Sequence, residues 1–292
     1  MDRQCRDLAK RRGSHRHSLP EPQHPAPHPG VNSGMSTEAL SSPEALPPIE
    51  ALPIFVAHVR TGYEARAELL ERQMKEHGLT FEYMLDGDIA DLDQAILDRW
   101  FKGVLHKPCP TSSCVTKHFL IMEQIIARDL PAALILEDDA LLDRRFNELV
   151  NQALKELGER DHRQQAWYVN LENSGLRFVP ADQRRPGQVL YPASRGRCAG
   201  AYIISQAFAR LVIERADRDR TEVSPDTFMD PIIGEEVVDG YWLEPTVVEQ
   251  GSHNVLFDSG LEGRYASRGR RFGYRLRKFI RSWRYRLGLC KK

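Results

Sequence analysis

Three consecutive carboxylates, Glu137, Asp138 and Asp139, directly follow the apolar run AALIL at 132–136. Five apolar residues in a row are typical of a central strand covered on both faces, and parallel α/β sheets bind ligands at the carboxyl ends of such strands. Two unit charges 4 Å apart repel by roughly 4 kcal/mol at an effective dielectric constant of 20, so the acids need a partner. We predict that this partner is Mn²⁺ or Mg²⁺, which completes its coordination shell with the phosphates of a nucleotide.

The same acids have a structural alternative, which is to cap the helix predicted after them. An anion near a helix N-terminus contributes only ~0.3–1 kcal/mol, and one acid suffices for that role. Hydrolases and phosphotransferases also place acids after a strand. The triplet alone therefore leaves several phosphate-handling enzymes open, although no GxxxxGK[ST] phosphate loop occurs in the chain.

Apolar runs that alternate with helical patterns predict the elements that position the triplet. LPIFVAHV and TFEYMLDGD indicate two strands separated by a helix, which is the start of a parallel sheet. Since some later strands are expected to be antiparallel, the predicted fold class is α/β with a mixed sheet. The predicted strands cover 52–59, 80–88, 132–136, 166–172 and 198–205, and the predicted helices cover about 63–77, 116–129, 146–157 and 205–213.

Composition limits the class of protein. The chain has 292 residues, 41 % of them hydrophobic, which suffices for one large domain or two small ones. Lys plus Arg and Asp plus Glu both count 41, so net charge argues neither for nor against nucleic acid. Five cysteines without a CxxC pair are not typical of a disulfide framework or a structural zinc site, and a reducing compartment is expected. No apolar run is long enough for a membrane span, and no signal peptide is predicted.

Three segments are predicted along the chain. Residues 1–50 are rich in Pro, His and Ser and too poor in apolar residues to offset the entropy of ordering, so we expect disorder there. Residues 51–262 contain the predicted strands and form the folded domain. Residues 263–292 form a basic amphipathic helix, with eleven Lys and Arg and no acid between 268 and 292. Its apolar stripe comprises Phe272, Leu276, Phe279, Ile280, Trp283 and Leu287.

A basic helix with one apolar stripe is typical of proteins that lie on a membrane, where each cation near an anionic surface contributes ~1 kcal/mol. We therefore predict that an anionic membrane surface is a partner of this C-terminal tail. One alternative is a helix that packs on the domain with its basic face in water. Nucleic-acid binding is a second alternative, but no nucleic-acid partner is predicted.

Four motifs in this order resemble glycosyltransferase family 25, the lipopolysaccharide and lipooligosaccharide biosynthesis glycosyltransferases. They are CVTKHFLIMEQI, LILEDDALL, CAGAYIIS and YWLEPTVVEQGSH, and the resemblance covers about residues 52–260. It implies a GT-A-like, Rossmann-type nucleotide-diphospho-sugar transferase domain. It also implies an inverting hexosyltransferase with a UDP-sugar donor, galactose being the expected sugar, and a glycolipid or oligosaccharide acceptor.

The resemblance gives donor and metal roles to the acids and to a histidine. The triplet matches a DxD-like motif, so Glu137 and Asp138 are expected to bind the donor, and Asp138 and Asp139 to bind the metal. His253 in EQGSH is expected as a metal or diphosphate ligand, a loop histidine bonded to backbone being the alternative. His118 matches the histidine of a Ser-His pair and is expected on the donor side, with a buried core histidine as the alternative.

Further roles come from other segments of the resemblance. Arg66 in the first helix and Asp86 after the second strand match donor-side positions. SPDTFMDPII at 224–233 resembles a segment with an acid near the acceptor, so Asp226 is the first candidate for the general base and Asp230 the second. Glu244 is a further candidate base behind Asp226. The basic candidates for stabilising the departing diphosphate are Arg66, Arg195 and Lys117, which replaces the usual serine of the Ser-His pair.

Two rival functions remain open. One is another metal-dependent nucleotide-handling transferase, which has no need of the LEPTVVEQGSH segment. The other is a non-catalytic membrane-surface protein on a degenerate transferase fold, against which the intact triplet argues. The predicted location is the cytoplasm, at the periphery of the inner face of the cytoplasmic membrane.

Overall fold

The structure is a computed structural model that describes residues 46–160, 166–254, 256–257 and 268–287. Most of the segment predicted to be disordered lies outside the described residues. The strands are β1 (Ile54–Ala57), β2 (Glu82–Met84), β3 (Ala132–Glu137), β4 (Ala140–Leu142), β5 (Ala166–Asn170), β6 (Leu190–Pro192), β7 (Ala201–Ser205), β8 (Val238–Leu243) and β9 (Val248–Gln250). The helices are α1 (Glu64–Glu76), α2 (Gln94–Trp100), α3 (Pro110–Ala127), α4 (Phe146–Gly158), α5 (Gln206–Asp219), α6 (Pro225–Ile233) and α7 (Arg268–Arg286).

A seven-stranded sheet in the order β2-β1-β3-β7-β5-β8-β6 carries the triplet. β1 pairs in parallel with β2 and β3, and β5 pairs in parallel with β8. β7 runs antiparallel to both β3 and β5, and β6 runs antiparallel to β8. The α/β class with a mixed sheet is therefore confirmed. The five strands that run in one direction have their carboxyl ends at one edge of the sheet, and the acid triplet begins at that edge.

The core lies on both faces of the sheet, as the apolar run AALIL predicted. Ala133 and Ile135 of β3 pack into one hydrophobic cluster, with α3 and α5. Ala132, Leu134 and Leu136 alternate with them and pack into the other, with α4. Both faces of β3 are covered, so its apolar side chains are enclosed. Glu137, the last residue of β3, is the first that lines a cavity.

Helix α3 begins six residues earlier than the pattern predicted, and the reason is local. Pro110 occupies its first turn, where a missing N–H costs nothing. Ser112 Oγ accepts from the backbone N–H of Cys109 at 2.9 Å, and Cys109 Sγ accepts from the N–H of Ser112 at 3.4 Å. This reciprocal capping lets the helix begin at Pro110 instead of 116. Cys114 therefore belongs to the helix and lies beside the triplet.

The chain is ordered before the predicted boundary at residue 50. Ile49 is fully buried in the α4 side of the core, and its N–H donates to Asn151 Oδ1 at 2.7 Å. Residues 46–50 are therefore part of the folded unit, which corrects the predicted extent of the disordered segment. In the described ranges, no helix combines the length and the apolarity that crossing a bilayer requires.

A second, two-stranded sheet returns the chain to the triplet. A strand, β4, follows the acids where helix capping was the alternative, and it pairs antiparallel with β9. The N–H of Gly251, next after β9, donates to Asp139 O at 2.8 Å. The segment EQGSH thus lies against the acids although it is more than a hundred residues away in sequence.

Candidate functional site

The acid triplet leaves the sheet between two neighbouring strands. The backbone N–H of Glu137 donates to Gly200 O at 2.9 Å, just before β7. The N–H of Asp138 donates to Ala57 O at 3.2 Å, at the end of β1. These two hydrogen bonds hold the backbone of the triplet in place, and the three acid side chains project from this fixed segment.

Asp138 already holds two protein partners. Its Oδ1 accepts from Arg66 Nη1 at 3.0 Å, and its Oδ2 lies 2.9 Å from His58 Nδ1. The Arg66 guanidinium is fixed further by the Tyr63 ring, whose centroid lies 4.2 Å away. Since both Asp138 oxygens hold α1 and β1 in place, the geometry favours Asp139 over Asp138 as the metal ligand.

Glu137 is held from behind by a buried histidine. His118 Nε2 lies 3.3 Å from Glu137 Oε1, His118 Nδ1 lies 2.7 Å from the Tyr202 hydroxyl, and Gln250 Nε2 donates to Glu137 Oε2 at 2.5 Å. Burial alone would raise the pKa of Glu137, but the hydrogen bond and charge of His118 and the charge of His253 hold that pKa below its usual value. His118 is fully buried, so the part predicted for it in donor binding is indirect, through Glu137.

Asp139 is the acid with an unused oxygen. Its Oδ2 accepts from the N–H of Ser252 at 2.8 Å, whereas its Oδ1 is buried without a hydrogen-bond partner. Burial, and then the charge of Glu137, raise the pKa of Asp139 to about 6. An unpaired buried acceptor is costly, and hard divalent cations prefer carboxylate oxygens. The chemistry of this site therefore fits a divalent metal at Asp139.

Other groups of ligand type lie around Glu137. His253 is half-buried in the turn after β9, and its charge reaches Glu137. On the α3 side, Cys114 and His118 each place a ligand atom within 4.8 Å of a Glu137 oxygen. A thiolate suits Zn²⁺ better than Mn²⁺ or Mg²⁺, and burial raises the pKa of Cys114, which keeps it a thiol. The Asp139 side therefore fits a hard cation better than the Cys114 side does.

A cavity of about 110 Å³ opens against the triplet. All three acids line it, together with Arg66 of α1, Cys114 of α3 and Ser252 of the turn after β9. Liquid water takes about 30 Å³ per molecule, so the cavity has room for roughly three to four groups of that size, such as a cation with part of its shell. The nucleotide would lie along the open surface beside it.

Lys117 holds the loop after β2, which argues against its predicted role at the diphosphate. Its side chain is 3 % exposed and pairs with Asp88 Oδ1 at 2.9 Å. Its Nζ donates to the carbonyls of Leu85 and Asp86 at 3.0 and 3.1 Å. These contacts satisfy the ammonium group of Lys117, which also lines the cavity.

The Asp86-Gly87 turn after β2 packs against α3, and the Asp86 side chain points into solvent. The Asp86 side chain is 80 % exposed and pairs with Arg60 at 2.7 Å, outside the lining of the cavity. Gly87 has φ +88°, and a Cβ there would lie 2.9 Å from Thr116 Cγ2. Ser113 Oγ donates to Gly87 O at 2.7 Å. The donor contact predicted for Asp86 stays a prediction, and any such contact would be at the outer rim.

The two candidate bases in α6 have different surroundings. Asp230 Oδ1 accepts from the N–H of Gly196 at 2.9 Å, and burial raises the pKa of Asp230. Asp226 Oδ1 accepts from Ser224 Oγ at 2.5 Å. After burial and Glu137, the charge of Asp226 contributes to the raised pKa of Cys114 in the cavity. Neither acid lines the cavity. Asp226 stays the first candidate because its charge reaches Cys114, whereas Asp230 holds a loop.

The remaining charged candidates are engaged elsewhere. Glu244 is buried between Arg197, at 2.6 Å, and Arg184, at 3.1 Å, so both of its oxygens are paired and it does not fit a reserve base. Arg195 lines a separate cleft of about 740 Å³ between β6, β8 and the end of α6. Its carbonyl accepts from Trp242 Nε1 at 2.6 Å. Arg195 is therefore not placed at the triplet, which corrects its predicted role.

A further buried acid, Glu172, was not predicted from the sequence. It follows β5 and accepts from the N–H groups of Gly200 and Ser174 at 3.0 and 3.1 Å. Burial raises the pKa of Glu172 to about 7. Gly200 thus links Glu172 to Glu137, and a Cβ on Gly200 would overlap the Gln250 side chain at 2.4 Å. The signal that could have found Glu172 is the same as for the triplet, an acid directly after a buried strand.

Comparison with known proteins places this site in context. The sequence model of glycosyltransferase family 25 (LPS biosynthesis protein) matches residues 63–229. One similar solved structure is a glycosyltransferase involved in the glycosylation of the major capsid of PBCV-1, with 13 % identity, a TM-score of 0.34, and coverage of 64 % of this chain and 80 % of that chain. Another, from Bacillus anthracis, is described as a glucose-1-phosphate thymidylyltransferase in complex with a sucrose, with 11 % identity, a TM-score of 0.35, and coverage of 68 % and 70 %. No curated protein matches the chain.

Proposed function

The chain belongs to glycosyltransferase family 25 and is a glycosyltransferase, and from that premise we propose that it transfers galactose from UDP-galactose to a saccharide of lipopolysaccharide or a related glycolipid. The transfer is inverting and assisted by Mn²⁺ or Mg²⁺. The observation that carries this proposal is the buried, unpartnered Oδ1 of Asp139, in a cavity that all three acids line.

Asp139 would hold the metal through Oδ1, with Glu137 and His253 on the adjoining sides. When bound, the metal neutralises charge on the departing diphosphate. His118 keeps Glu137 ionised, because its hydrogen bond and charge lower the pKa of that carboxyl. Arg66, fixed by Asp138 and Tyr63, adds a positive charge beside the same cavity.

Inversion by a single displacement needs a base on the acceptor side, opposite the leaving group. Asp226 is the proposed base, and it takes the proton of the acceptor hydroxyl. Ser224 Oγ orients one Asp226 oxygen at 2.5 Å, at the start of α6. Because α6 begins on a Pro and packs against α3, the base is carried by an element that also contacts the helix lining the cavity.

We place the reaction in the cytoplasm, on the inner face of the cytoplasmic membrane. A glycolipid acceptor is anchored in lipid, so an enzyme held at the same surface meets it at high local concentration. The basic composition of residues 268–292, with eleven cations and no acid, supports this location.

Calorimetric titration with UDP tests the proposal. UDP is expected to bind with Mn²⁺ and to lose about tenfold or more in affinity with chelator or in Asp139→Asn. Asp182→Asn, at an exposed position in the loop before β6, is the matched control and should bind as the wild type does. Equal UDP affinity with Mn²⁺ and with chelator would overturn the metal–diphosphate proposal. UDP release from a panel of UDP-sugars then identifies the sugar.

The same titration has an expected pH dependence. Metal binding requires the Asp139 carboxylate, whose pKa is raised to about 6. Mn²⁺ affinity should therefore rise about tenfold per pH unit below pH 6 and level off above it. A flat profile between pH 5 and 7 would show that Asp139 is not the ligand.

A further inference from the structure

Helix α7 docks on the domain by one face only. Tyr274 and Tyr285, eleven positions apart and so on one side of the helix, are each 5 % exposed. They pack with Leu176 and Phe178, and the Phe178 and Tyr285 rings lie 5.6 Å apart. Lys278 forms an ion pair with Glu249 of β9. The predicted alternative of a helix packed on the domain is thus correct for this tyrosine face.

The opposite face leaves large apolar side chains in water. Of the ten exposed large apolar side chains in the described residues, four lie on α7 and a fifth, Leu287, directly follows it. They recur at i, i+3, i+4, i+7 and i+11, and their exposed fractions run from 46 to 63 %. The five are Leu276, Phe279, Ile280, Trp283 and Leu287. A contiguous exposed stripe of this kind marks an interaction surface.

Cations run along one side of the stripe. Arg277, Arg281 and Arg284 are exposed, at the spacing of one helix face. α7 contains nine Lys and Arg residues and no acid. A partner for this surface therefore needs both an apolar interior and negative charge at its boundary.

We propose that α7 docks flat into the boundary layer of an anionic lipid bilayer. The stripe Leu276–Leu287 enters the layer between headgroups and acyl chains, and the arginines pair with lipid phosphates. A second copy of this chain fits less well, because apposing two α7 helices would bring nine cations against nine. Nucleic acid fits less well too, because it would leave the apolar stripe without an apolar partner.

The domain-facing side of α7 adjoins the proposed active site, and this part of the inference rests on the proposed function. Glu249, the partner of Lys278, belongs to β9, which pairs with the strand that follows the triplet. Tyr274 lies close enough to Glu172 for that acid, after burial and Glu249, to raise the pKa of Tyr274. Docking through α7 would therefore hold the triplet edge of the sheet near the lipid surface, where the saccharide of a glycolipid emerges.

Trp283 gives a direct test with the full chain. The other three tryptophans, Trp100, Trp167 and Trp242, are buried, so an emission shift on adding vesicles reports Trp283. Vesicles of phosphatidylglycerol and phosphatidylethanolamine should shift the emission to the blue and carry the protein in flotation. Vesicles of phosphatidylcholine should bind it roughly a hundredfold more weakly, since each cation contributes about fivefold at an anionic surface.

Two paired variants and a control complete the experiment. Phe279→Ser with Ile280→Ser, and Arg281→Gln with Arg284→Gln, should each weaken flotation by about tenfold or more. Val104→Ser, at a side chain 69 % exposed on another part of the chain, should change nothing. The proposal is overturned if anionic vesicles cause no blue shift, if both variants float as the wild type does, or if Trp283 shifts on self-association without lipid. UDP and acceptor are absent throughout, so failure here is separate from failure of the UDP titration.

Discussion

At the scale of single residues, Asp226 and Asp230 can be separated by the step each affects. Asp226→Asn should lower the transfer rate by roughly 10²–10⁴-fold and leave Mn²⁺-dependent UDP affinity unchanged, because a general base acts on the acceptor. Asp230→Ala should change the rate much less and lower stability, because the Gly196 N–H would lose its acceptor. Single-turnover transfer and urea unfolding measure the two effects. An Asp226→Asn enzyme with the wild-type rate would exclude Asp226 as the base.

Glu172 makes the stability of the domain depend on pH. Its pKa is about 7 in the folded chain against 4.5 for an ordinary glutamate, so the folded state favours the protonated form. That stability is fully present below about pH 4.5 and is lost as pH rises through 7. Between pH 5 and 8 the wild type should lose about 2 kcal/mol more unfolding free energy than Glu172→Gln does. If urea unfolding gives the same change of unfolding free energy with pH for both proteins, Glu172 does not have a raised pKa in the folded state.

The roles of the acids in the site could be predicted from the sequence, whereas those of Lys117 and His118 could not. The triplet was found because acids rarely follow a buried strand without a partner, and Glu172 obeys the same rule. Lys117 and His118 were not predictable in the same way, because a lysine or histidine on a helix carries no mark of what its tip meets. Their partners, the carbonyls after β2 and the Tyr202 hydroxyl, come from segments distant in sequence.

At the scale of elements, Lys117 joins α3 to the loop after β2, and its removal should be costly. Lys117→Met keeps the buried stem but leaves the Leu85 and Asp86 carbonyls and Asp88 without their cation. Unfolding free energy should fall by about 2–4 kcal/mol, because the buried carbonyls lose their donor and Asp88 keeps only the more distant of its two cations, Arg60 at 3.6 Å. Lys155→Met on the exposed side of α4 is the control and should stay within about 0.5 kcal/mol. Equal stability of the two variants would mean that the loop is held by other contacts.

Long, strongly patterned elements were predictable, and short ones were not. β1, α1, β3 and α4 match their predictions because their apolar periodicity is set by burial on one or both faces. β6 and β9, of three residues each, carry no period and owe their pairing to β8 and β4. The early start of α3 was missed because its signal is a single proline with a Cys-Ser cap.

At the scale of the whole molecule, strand order lies beyond a single sequence. The antiparallel β7 sits between β3 and β5, and this order brings Gly200 between Glu137 and Glu172. The α7 stripe was predicted from spacing, and the described members of it are exposed as an interface helix requires. Its tyrosine face was not predicted, because whether an aromatic side chain packs on the domain depends on the distant loop after β5.

If α7 docks on lipid, the transfer rate should depend on whether the acceptor saccharide is free in water or carried by a lipid. Phe279→Ser with Ile280→Ser should transfer sugar to a water-soluble saccharide at the wild-type rate, because both side chains are exposed on α7. The same protein should lose about tenfold or more in rate when that saccharide is carried by a lipid in anionic vesicles, because local concentration at the surface is lost. Raising salt should reduce the wild-type rate on vesicles towards that of the variant, since exposed cations are screened within about 10 Å at 0.1 M. If the variant loses the same factor in rate on both acceptors, α7 stabilises the fold and does not bind the enzyme to lipid.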